Sequence, residues 1–315
     1  MICDIFLGVK FILTKRSDLF YTMLFLLAAM IWGSTFVITK MAAGSLPTAI
    51  ILAIRFTVGA ISIAIFCGKN LAKIDLAYLK WGILLGIITF FSYGVHIFGL
   101  ELDTTPGKSA FLTAIYCVLV PFVYWLFRQG RPDGYNFGAA FLCLIGIGMV
   151  SLTDGLTILR GDIYTLLGGI AGAVEIVLVA MACKRRDPLV MTCLQLVFVA
   201  VFSWILVFSQ GFLTDSYVMN DIWGIVYLGL FATAGCLALQ SIGLTYTNPS
   251  SAAIILSLES VFGVLFSVYF YDEVITLKMV IGFSLIFVAV IISQTKLKFL
   301  KFFKKSQPVE IHRIG

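Results

Sequence analysis

The sequence predicts an all-α integral membrane protein with ten transmembrane helices, arranged as two inverted five-helix repeats. Three observations predict this fold class. The chain is 61% hydrophobic and 12% charged, whereas an ordinary soluble domain carries about 25% charged residues. Apolar segments long enough to cross a bilayer recur from one end of the chain to the other. Finally, part of the first half of the sequence recurs in the second half.

The first half contains five apolar segments, at about 20–40, 47–67, 79–100, 107–127 and 135–153. The fourth segment starts at Pro106, and proline is favoured in a helix's first turn because its missing N–H leaves no bond unmade. Gly107-Lys108-Ser109 resembles the end of a phosphate-binding loop, but Leu102 stands where that motif requires a glycine. We therefore interpret Lys108 as part of an outer flank and expect no nucleotide site.

The second half contains five more apolar segments, at about 162–183, 189–209, 222–243, 250–271 and 276–295. Most of the ten approach the ~20 residues needed to cross a hydrocarbon core of ~30 Å. The connections are short, so consecutive helices run antiparallel. We therefore predict one repeat over 20–153, a second over 162–295 and a basic cytoplasmic tail over 296–315.

An internal repeat relates the two halves. The stretch TTPGKSAFLTAIYCV from Thr104 aligns without gaps with TNPSSAAIILSLESV from Thr247, at an offset of 143 residues. Each copy has five spans, an odd number, so the second copy enters the membrane from the opposite side. Inverted repeats are typical of secondary transporters, whose substrate site lies near the midplane between the halves.

The distribution of basic residues predicts the orientation. If the N-terminus is cytoplasmic, seventeen of the 22 basic residues lie in inside segments and four in outside segments, namely Lys40, Lys108, Arg160 and Lys278. Cytoplasmic segments are enriched in Lys and Arg. We therefore expect a multi-pass protein of the plasma membrane with both termini in the cytoplasm. The N-terminal stretch lacks a cleavage site and is expected to be a retained anchor.

Several classes of protein are disfavoured by the sequence. The seven cysteines are dispersed without a CxxC pair, which is typical of small buried side chains rather than of a disulfide framework. The two histidines, His96 and His312, form no metal-binding or catalytic motif. We expect no enzyme activity, no cofactor, no metal and no nucleic-acid partner. A channel or a non-transporting membrane scaffold is the alternative of another class.

Three ionisable residues stand out near the middle of predicted helices, namely Arg55, Glu175 and Glu259. A charge at the centre of a bilayer costs roughly 2.5–3.5 kcal/mol on insertion scales, so such residues usually face a cavity and mark function. We expect Arg55 and at least one glutamate to line a midplane cavity. A salt bridge between Arg55 and a glutamate, tying helices together without substrate contact, is the alternative. His96 is nearer the outer end of its helix and is not assigned to the site.

Further candidates for the same cavity are aromatic and amide side chains, namely Trp32, Tyr93, Tyr116, Gln195 and Gln240. Tyr116 occupies the repeat position equivalent to Glu259, so the two halves of the cavity differ chemically there. Packing is the alternative role for the aromatic residues. The pairs Gly82/Gly86 and Gly168/Gly172 permit close helix contact and are interpreted as structural.

Several stretches resemble the EamA branch of the drug/metabolite transporter superfamily. They are MLFLLAAMIWGSTFVITK, LPTAIILAIRF, FLTAIYCVLVPFVYWLF and the ninth and tenth segments with Glu259, Glu273 and Gly282. The resemblance covers about residues 20–295 and implies a two-repeat carrier that moves small metabolites, frequently outward. Its substrates vary widely, so the resemblance names none.

One arginine and two glutamates in a shared cavity suit a zwitterion. We therefore expect secondary transport of an amino acid or a related small metabolite across the lipid bilayer. The family resemblance implies efflux as the direction. A carrier of lipophilic or cationic drugs, or of nucleotide-sugar-like solutes, is the alternative within transport. The sequence predicts no oligomeric state.

Overall fold

The structure is a computed structural model that describes residues 16–151, 158–212, 222–247 and 249–295. The regular elements in these ranges are helices. The N-terminal stretch predicted to be a retained anchor and the predicted basic tail at 296–315 lie outside the described residues. The predicted all-α class is therefore confirmed for the described part of the chain.

The first half forms α1 (Arg16–Ala43), α2 (Thr48–Cys67) with a 3₁₀ turn (Gly68–Lys73), α3 (Leu76–Glu101), α4a (Pro106–Thr113), α4b (Ile115–Leu126) and α5 (Gly134–Ser151). The Asp75 side chain accepts a hydrogen bond from the Tyr78 N–H and so satisfies a free donor in the first turn of α3. Pro106 occupies the first turn of α4a, as the sequence predicts.

The second half forms α6 (Arg160–Cys183), α7 (Pro188–Gln210), α8a (Ile222–Tyr227), a π-helical segment (Leu228–Gly235), α8b (Cys236–Tyr246), α9a (Pro249–Leu256), α9b (Leu258–Phe270) and α10 (Leu277–Thr295). Asp187 caps α7 by accepting hydrogen bonds from the N–H groups of Leu189 and Val190.

Length and composition identify seven helices in the described residues that can cross a membrane. Three further apolar helices are shorter, namely Gly134–Val150, Leu258–Phe270 and Leu277–Ile292. Many large apolar side chains point outward, among them Phe66 and Leu126, each 78% exposed. Such a surface requires lipid. The molecule is a multi-pass membrane protein, and the number of ten crossings stays a prediction.

The helices of the two halves pack in an exchanged pattern. Helix α1 packs on α9b, and α6, its counterpart, packs on α4a and α4b. Helix α3 packs on α6, and α8 packs on α1 in the same way. Helices α2 and α7 contact each other, as do α5 and α10. For each of these contacts between two helices, the corresponding helices of the other half make the equivalent contact.

Glycines allow several of these helices to approach closely. A Cβ atom on Gly82 would lie 2.8 Å from Leu194 Cβ, and one on Gly86 would lie 2.4 Å from Phe198 Cβ. Both distances are shorter than atoms permit, so the α3–α7 contact requires glycine there, as predicted. Helices α5 and α10 cross at Gly146 and Gly282 in the same manner.

The interpretation of Lys108 as a simple outer flank is wrong. Its side chain is buried, and its Nζ lies 2.6 Å from Asp162 Oδ2 at the start of α6. The Thr104 hydroxyl donates to the other oxygen, Asp162 Oδ1, over 3.0 Å. Sequence spacing could not reveal this contact, because the two charges come from different repeats and only the fold brings them together.

Candidate functional site

A polar cavity of about 90 Å³ lies between the two halves. Helices α1, α2, α3, α4a and α4b line it from the first half, and α6, α8b, α9a and α9b from the second. Seven of the eight predicted site residues line this one cavity: Trp32, Arg55, Tyr93, Tyr116, Glu175, Gln240 and Glu259. The fold therefore brings together side chains that are spread over most of the sequence.

Arg55 contributes a cation to the cavity. It is 2% exposed, its Nε donates to Thr233 Oγ1 over 2.6 Å, and its guanidinium carbon lies 4.9 Å from the centre of the Tyr93 ring. In the part of the chain that the structure describes, no carboxylate oxygen lies within ion-pair distance of Arg55. The alternative of an Arg55–glutamate salt bridge is therefore not formed in this conformation.

The π-helical segment of α8 holds this cation in place. Thr233 on this segment accepts the Arg55 hydrogen bond, and the carbonyl of the preceding Ala232 accepts from Trp32 Nε1 over 2.8 Å. A π-helix widens the backbone spiral and shifts the direction of side chains and carbonyl groups, and it is frequent at functional sites. The segment thereby orients two cavity residues from α1 and α2.

Glu175 is a carboxyl with fixed orientation on α6. Its Oε1 accepts hydrogen bonds from Thr89 Oγ1 over 3.1 Å and from Gln195 Nε2 over 2.8 Å. Gln195 also donates to Thr89 Oγ1 over 2.7 Å, so the three side chains form a closed network. Because these donors occupy one oxygen of the carboxyl, the network presents Glu175 to the cavity in a single orientation.

Glu259 is the second carboxyl of the cavity, and it follows a helix interruption. Helix α9 is interrupted at Ser257, and α4 is interrupted at Ala114, which lies at the equivalent repeat position. Two residues beyond each interruption stand Glu259 and Tyr116, and the Glu259 carboxyl lies beside the Tyr116 hydroxyl. The interruption of both helices at matching positions supports the internal repeat with geometry as well as with sequence.

Three buried oxygen atoms of the cavity wall make no regular hydrogen bond within the described residues, namely Thr113 Oγ1, Gln240 Oε1 and the Tyr116 hydroxyl. The Tyr116 hydroxyl lies beside the Glu259 carboxyl, so Thr113 Oγ1 and Gln240 Oε1 are the two without a polar neighbour of that kind. A buried polar atom without a hydrogen bond costs about 1–3 kcal/mol. Polar atoms that face a cavity without partners are suited to binding a polar ligand there.

Two predicted assignments differ from the structure. Gln195 is buried and contacts Glu175, but it does not line the cavity. His96, which the sequence analysis left out of the site, does line it, and its Nε2 lies 3.0 Å from Ser109 Oγ. A helical spacing could have found it, since Tyr93 and His96 share one face of α3.

The described residues contain no group of three or more His, Cys, Asp and Glu side chains that could hold a metal ion. The six cysteines within them are free and buried. The chemistry of the cavity therefore comes from one guanidinium, two carboxyls, an imidazole and neutral polar groups.

A membrane protein that is helical throughout its described residues, with a cavity lined by polar side chains between two related halves, has the architecture of a membrane transporter. The sequence profile of the EamA-like transporter family matches residues 19–152 and again residues 159–295. The two matches cover most of the chain and coincide with the two halves described above. The chain belongs to the EamA-like transporter family.

Two proteins of Archaeoglobus fulgidus, both described as "Uncharacterized transporter", are similar to this chain. One is 32% identical over 84% of this chain and 83% of its own length. The other is 25% identical over 85% of this chain and 93% of its own length. A solved structure described as "Crystal structure of protein" has a TM-score of 0.66 and 17% identity, covering 91% of this chain and all of that one. This likeness shows the shared fold.

Proposed function

We propose that the protein is a secondary transporter of a small zwitterionic metabolite, an amino acid or a related compound, which it moves outward by alternating access. The observation that carries the proposal is the position of Arg55. It is a buried cation without an acidic partner among the described residues, and it shares one cavity with Glu175 and Glu259. Membership in a transporter family supports the general class.

The chemistry of the three charges suits a zwitterion. A guanidinium can hold a carboxylate through two parallel hydrogen bonds, and Arg55 uses its Nε on Thr233, which leaves its terminal groups for a ligand. A carboxylate of Glu175 or Glu259 can accept from an ammonium group, or it can carry a coupling proton. Thr113 Oγ1 and Gln240 Oε1 add acceptors that the protein leaves unused.

The size of the cavity supports a small substrate. Pockets for drug-sized ligands measure about 300–1,000 Å³, whereas this cavity measures about 90 Å³ in the present conformation. The volume disfavours bulky lipophilic drugs and nucleotide-sugar-like solutes. It favours a compact molecule that contacts Arg55 and a glutamate at the same time.

The exchanged helix contacts support alternating access. Two similar units that insert in opposite directions can take up each other's conformation, so the cavity opens first to one side and then to the other. We propose that both termini lie in the cytoplasm of a plasma-membrane protein, because the basic residues are concentrated in the corresponding segments.

A metabolite comparison tests the proposal. Cells that produce the protein should release one or a few amino acids or related zwitterions into the medium faster than cells that produce Glu259→Gln. Wild-type and variant protein must reach the membrane in equal amounts. Equal release of every zwitterion, with faster loss of a lipophilic cation in wild-type cells, would favour the drug-carrier alternative and reject the present assignment.

A further inference from the structure

The buried ion pair Lys108–Asp162 lies at one end of the cavity, where α3 ends and where α4a and α6 begin. We call this end of the molecule the outer end, since the proposed orientation places it outside the cell. The Lys108 and Asp162 side chains are 10% and 0% exposed, and their charged atoms lie 2.6 Å apart. The pair joins the first repeat to the second.

The pair lies beyond the cavity along both helices that carry it. Thr113 on α4a lines the cavity five residues after Lys108, and Gly168 on α6 lines it six residues after Asp162. At a rise of 1.5 Å per residue, the ion pair is about 8–9 Å outward from these positions. It is therefore placed to close the cavity at the outer end.

A second cavity of about 330 Å³ borders the ion pair at Lys108. Lys108 and Thr105 of α4a line it, together with Asp272 and Glu273, and it shares no lining residue with the central cavity. Consecutive residues of α4a divide the two spaces, because Lys108 faces the second cavity while Ser109 contacts His96 of the central one.

Neighbouring contacts reinforce closure at the outer end. The Gly161 N–H donates to Asp103 Oδ1 over 2.7 Å, which ties the start of α6 to the loop after α3. A Cβ on Gly99 would lie 2.6 Å from the Gly161 carbonyl oxygen, so the backbones of α3 and α6 touch directly. Passage of a solute between these helices requires this contact to separate.

The opposite end has no equivalent pair at the repeat position. Ser251 stands where the repeat would place a second Lys108, and serine carries no charge. Lys73 and Asp187 approach to 3.8 Å at that end, but their side chains are 58% and 24% exposed. Exposed pairs contribute little, whereas removing one partner of a buried pair leaves an uncompensated charge. The two ends therefore differ in how strongly they are closed.

We propose that the Lys108–Asp162 ion pair is the outer gate of this carrier, and that the pair separates and is hydrated whenever the central cavity opens outward. The inference rests on the proposed transport function. Water that enters with opening solvates both charges, so the pair stabilises the closed form without blocking the open one. Among the described residues, the buried ion pair lies at this end, whereas the Lys73–Asp187 pair at the opposite end is more exposed.

Thiol accessibility tests the gate without any substrate. The reporter is Thr113→Cys in the central cavity, labelled in intact cells with a membrane-impermeant maleimide, with the label on the parent protein subtracted. Lys108→Met and Asp162→Asn should each raise the labelling rate at least about tenfold, since either removes one partner of the buried ion pair. The matched control, Lys73→Met at the opposite end, should leave the rate unchanged.

The charge exchange Lys108→Asp with Asp162→Lys restores the pair and should return the rate to within about twofold of the parent reporter. Unchanged labelling in both single variants would overturn the gate, as would an equal increase with Lys73→Met. If the single variants do not insert into the membrane, the test rests on Thr113→Cys in the charge-exchanged protein, with Arg160→Cys as the reference for an exposed thiol. Labelling of Thr113→Cys as fast as labelling of Arg160→Cys would contradict the gate, and much slower labelling would support it.

Failure of the gate and failure of the transport proposal give different results. A gated cavity without movement of any zwitterion would leave the ion pair's role intact and reject the substrate. Movement of a zwitterion with unchanged labelling in the Lys108 and Asp162 variants would support the substrate and reject the gate. If Thr113→Cys in the Lys108 and Asp162 variants is labelled in inverted vesicles, whose cytoplasmic face points outward, and not in intact cells, the orientation is opposite to the one proposed.

Discussion

Arg55 is the residue that most constrains what this molecule does. A buried guanidinium with no carboxylate within ion-pair distance among the described residues is costly, and the fold offsets that cost through Thr233 and the rings of Tyr93 and Phe56. Replacement of buried ionic groups by apolar ones of similar volume is often neutral or stabilising by about 1–4 kcal/mol. We therefore propose that Arg55 serves substrate binding rather than stability.

We expect Arg55→Leu to melt at the same temperature as the wild type or at a higher one, while transport is lost. The physical reason is that leucine removes an unpaired charge and needs no hydrogen bond. Melting in detergent, followed by size-exclusion chromatography, measures this. Arg160→Leu, at an exposed arginine at the start of α6, is the matched control and should change neither property. A clear drop in melting temperature for Arg55→Leu would mean that Arg55 is structural.

Two glutamates near helix α9 have different roles despite their similar chemistry. Glu259 faces the cavity, whereas Glu273 follows α9b and accepts hydrogen bonds from the Gly107 N–H over 2.8 Å and from the hydroxyls of Thr105 and Ser267. Glu273 thus satisfies a free donor at the start of α4a. The first glutamate lines the candidate site, and the second joins α9b to the start of α4a.

We therefore expect Glu259→Gln to reduce transport with little change in melting temperature. Glu273→Ala should lower the melting temperature and leave transport nearly unchanged. Loss of a helix-capping acceptor costs roughly 0.5–2 kcal/mol. Melting curves and amino acid release, measured on both variants at equal membrane levels, check the pair. Equal effects of the two substitutions on both readouts would contradict this division.

At the scale of the elements, interrupted helices build the site. The breaks at Ala114 and Ser257 and the π-helical segment of α8 all precede or contain cavity residues. Irregular backbone at membrane depth is tolerated where it is buried in protein or lines a cavity. The sequence predicted continuous helices at these places, because hydropathy measures apolar content and is insensitive to a single broken turn.

The crossing of α5 and α10 holds together the last helices of the two repeats. A Cβ on Gly146 would lie 2.8 Å from the Gly282 carbonyl oxygen, whereas nothing lies within 4 Å of a Cβ on Gly138 in the same helix. Small residues at such crossings let backbones approach and pack. The two glycines therefore form a matched pair for mutagenesis.

We expect Gly146→Leu to destabilise the protein by roughly 1–3 kcal/mol, the usual cost of overpacking. Gly138→Leu should be close to neutral, because its side chain has open space. Thermal melting of the two variants in the same detergent measures the difference. Equal stability of both would mean that α5 and α10 do not cross as described.

At the scale of the whole molecule, the sequence predicts much of the fold and part of the site. The apolar segments and the offset of 143 residues predict both repeats, and rarity of charge in the membrane predicts Arg55, Glu175 and Glu259. The ion pair of Lys108 with Asp162 was not predictable. It depends on which helices from the two halves become neighbours, and spacing along the chain carries no such information.

The topology follows from the number of crossings. Ten crossings place both termini on the same side, whereas seven crossings, the number that length and composition alone identify in the described residues, place them on opposite sides. We expect tags at the N-terminus and the C-terminus to be accessible only from the cytoplasm. Protease protection of tagged protein in sealed vesicles measures this, and a terminus digested from outside would contradict the proposed topology.

The most direct test of the central claim is counterflow in proteoliposomes. Vesicles loaded with unlabelled amino acids should take up labelled external amino acids faster than empty vesicles, because a carrier with one alternating cavity exchanges solute across the membrane. Arg55→Leu should abolish that acceleration. Uptake that is equal in loaded and empty vesicles, or acceleration that survives in Arg55→Leu, would contradict a carrier built around this cation.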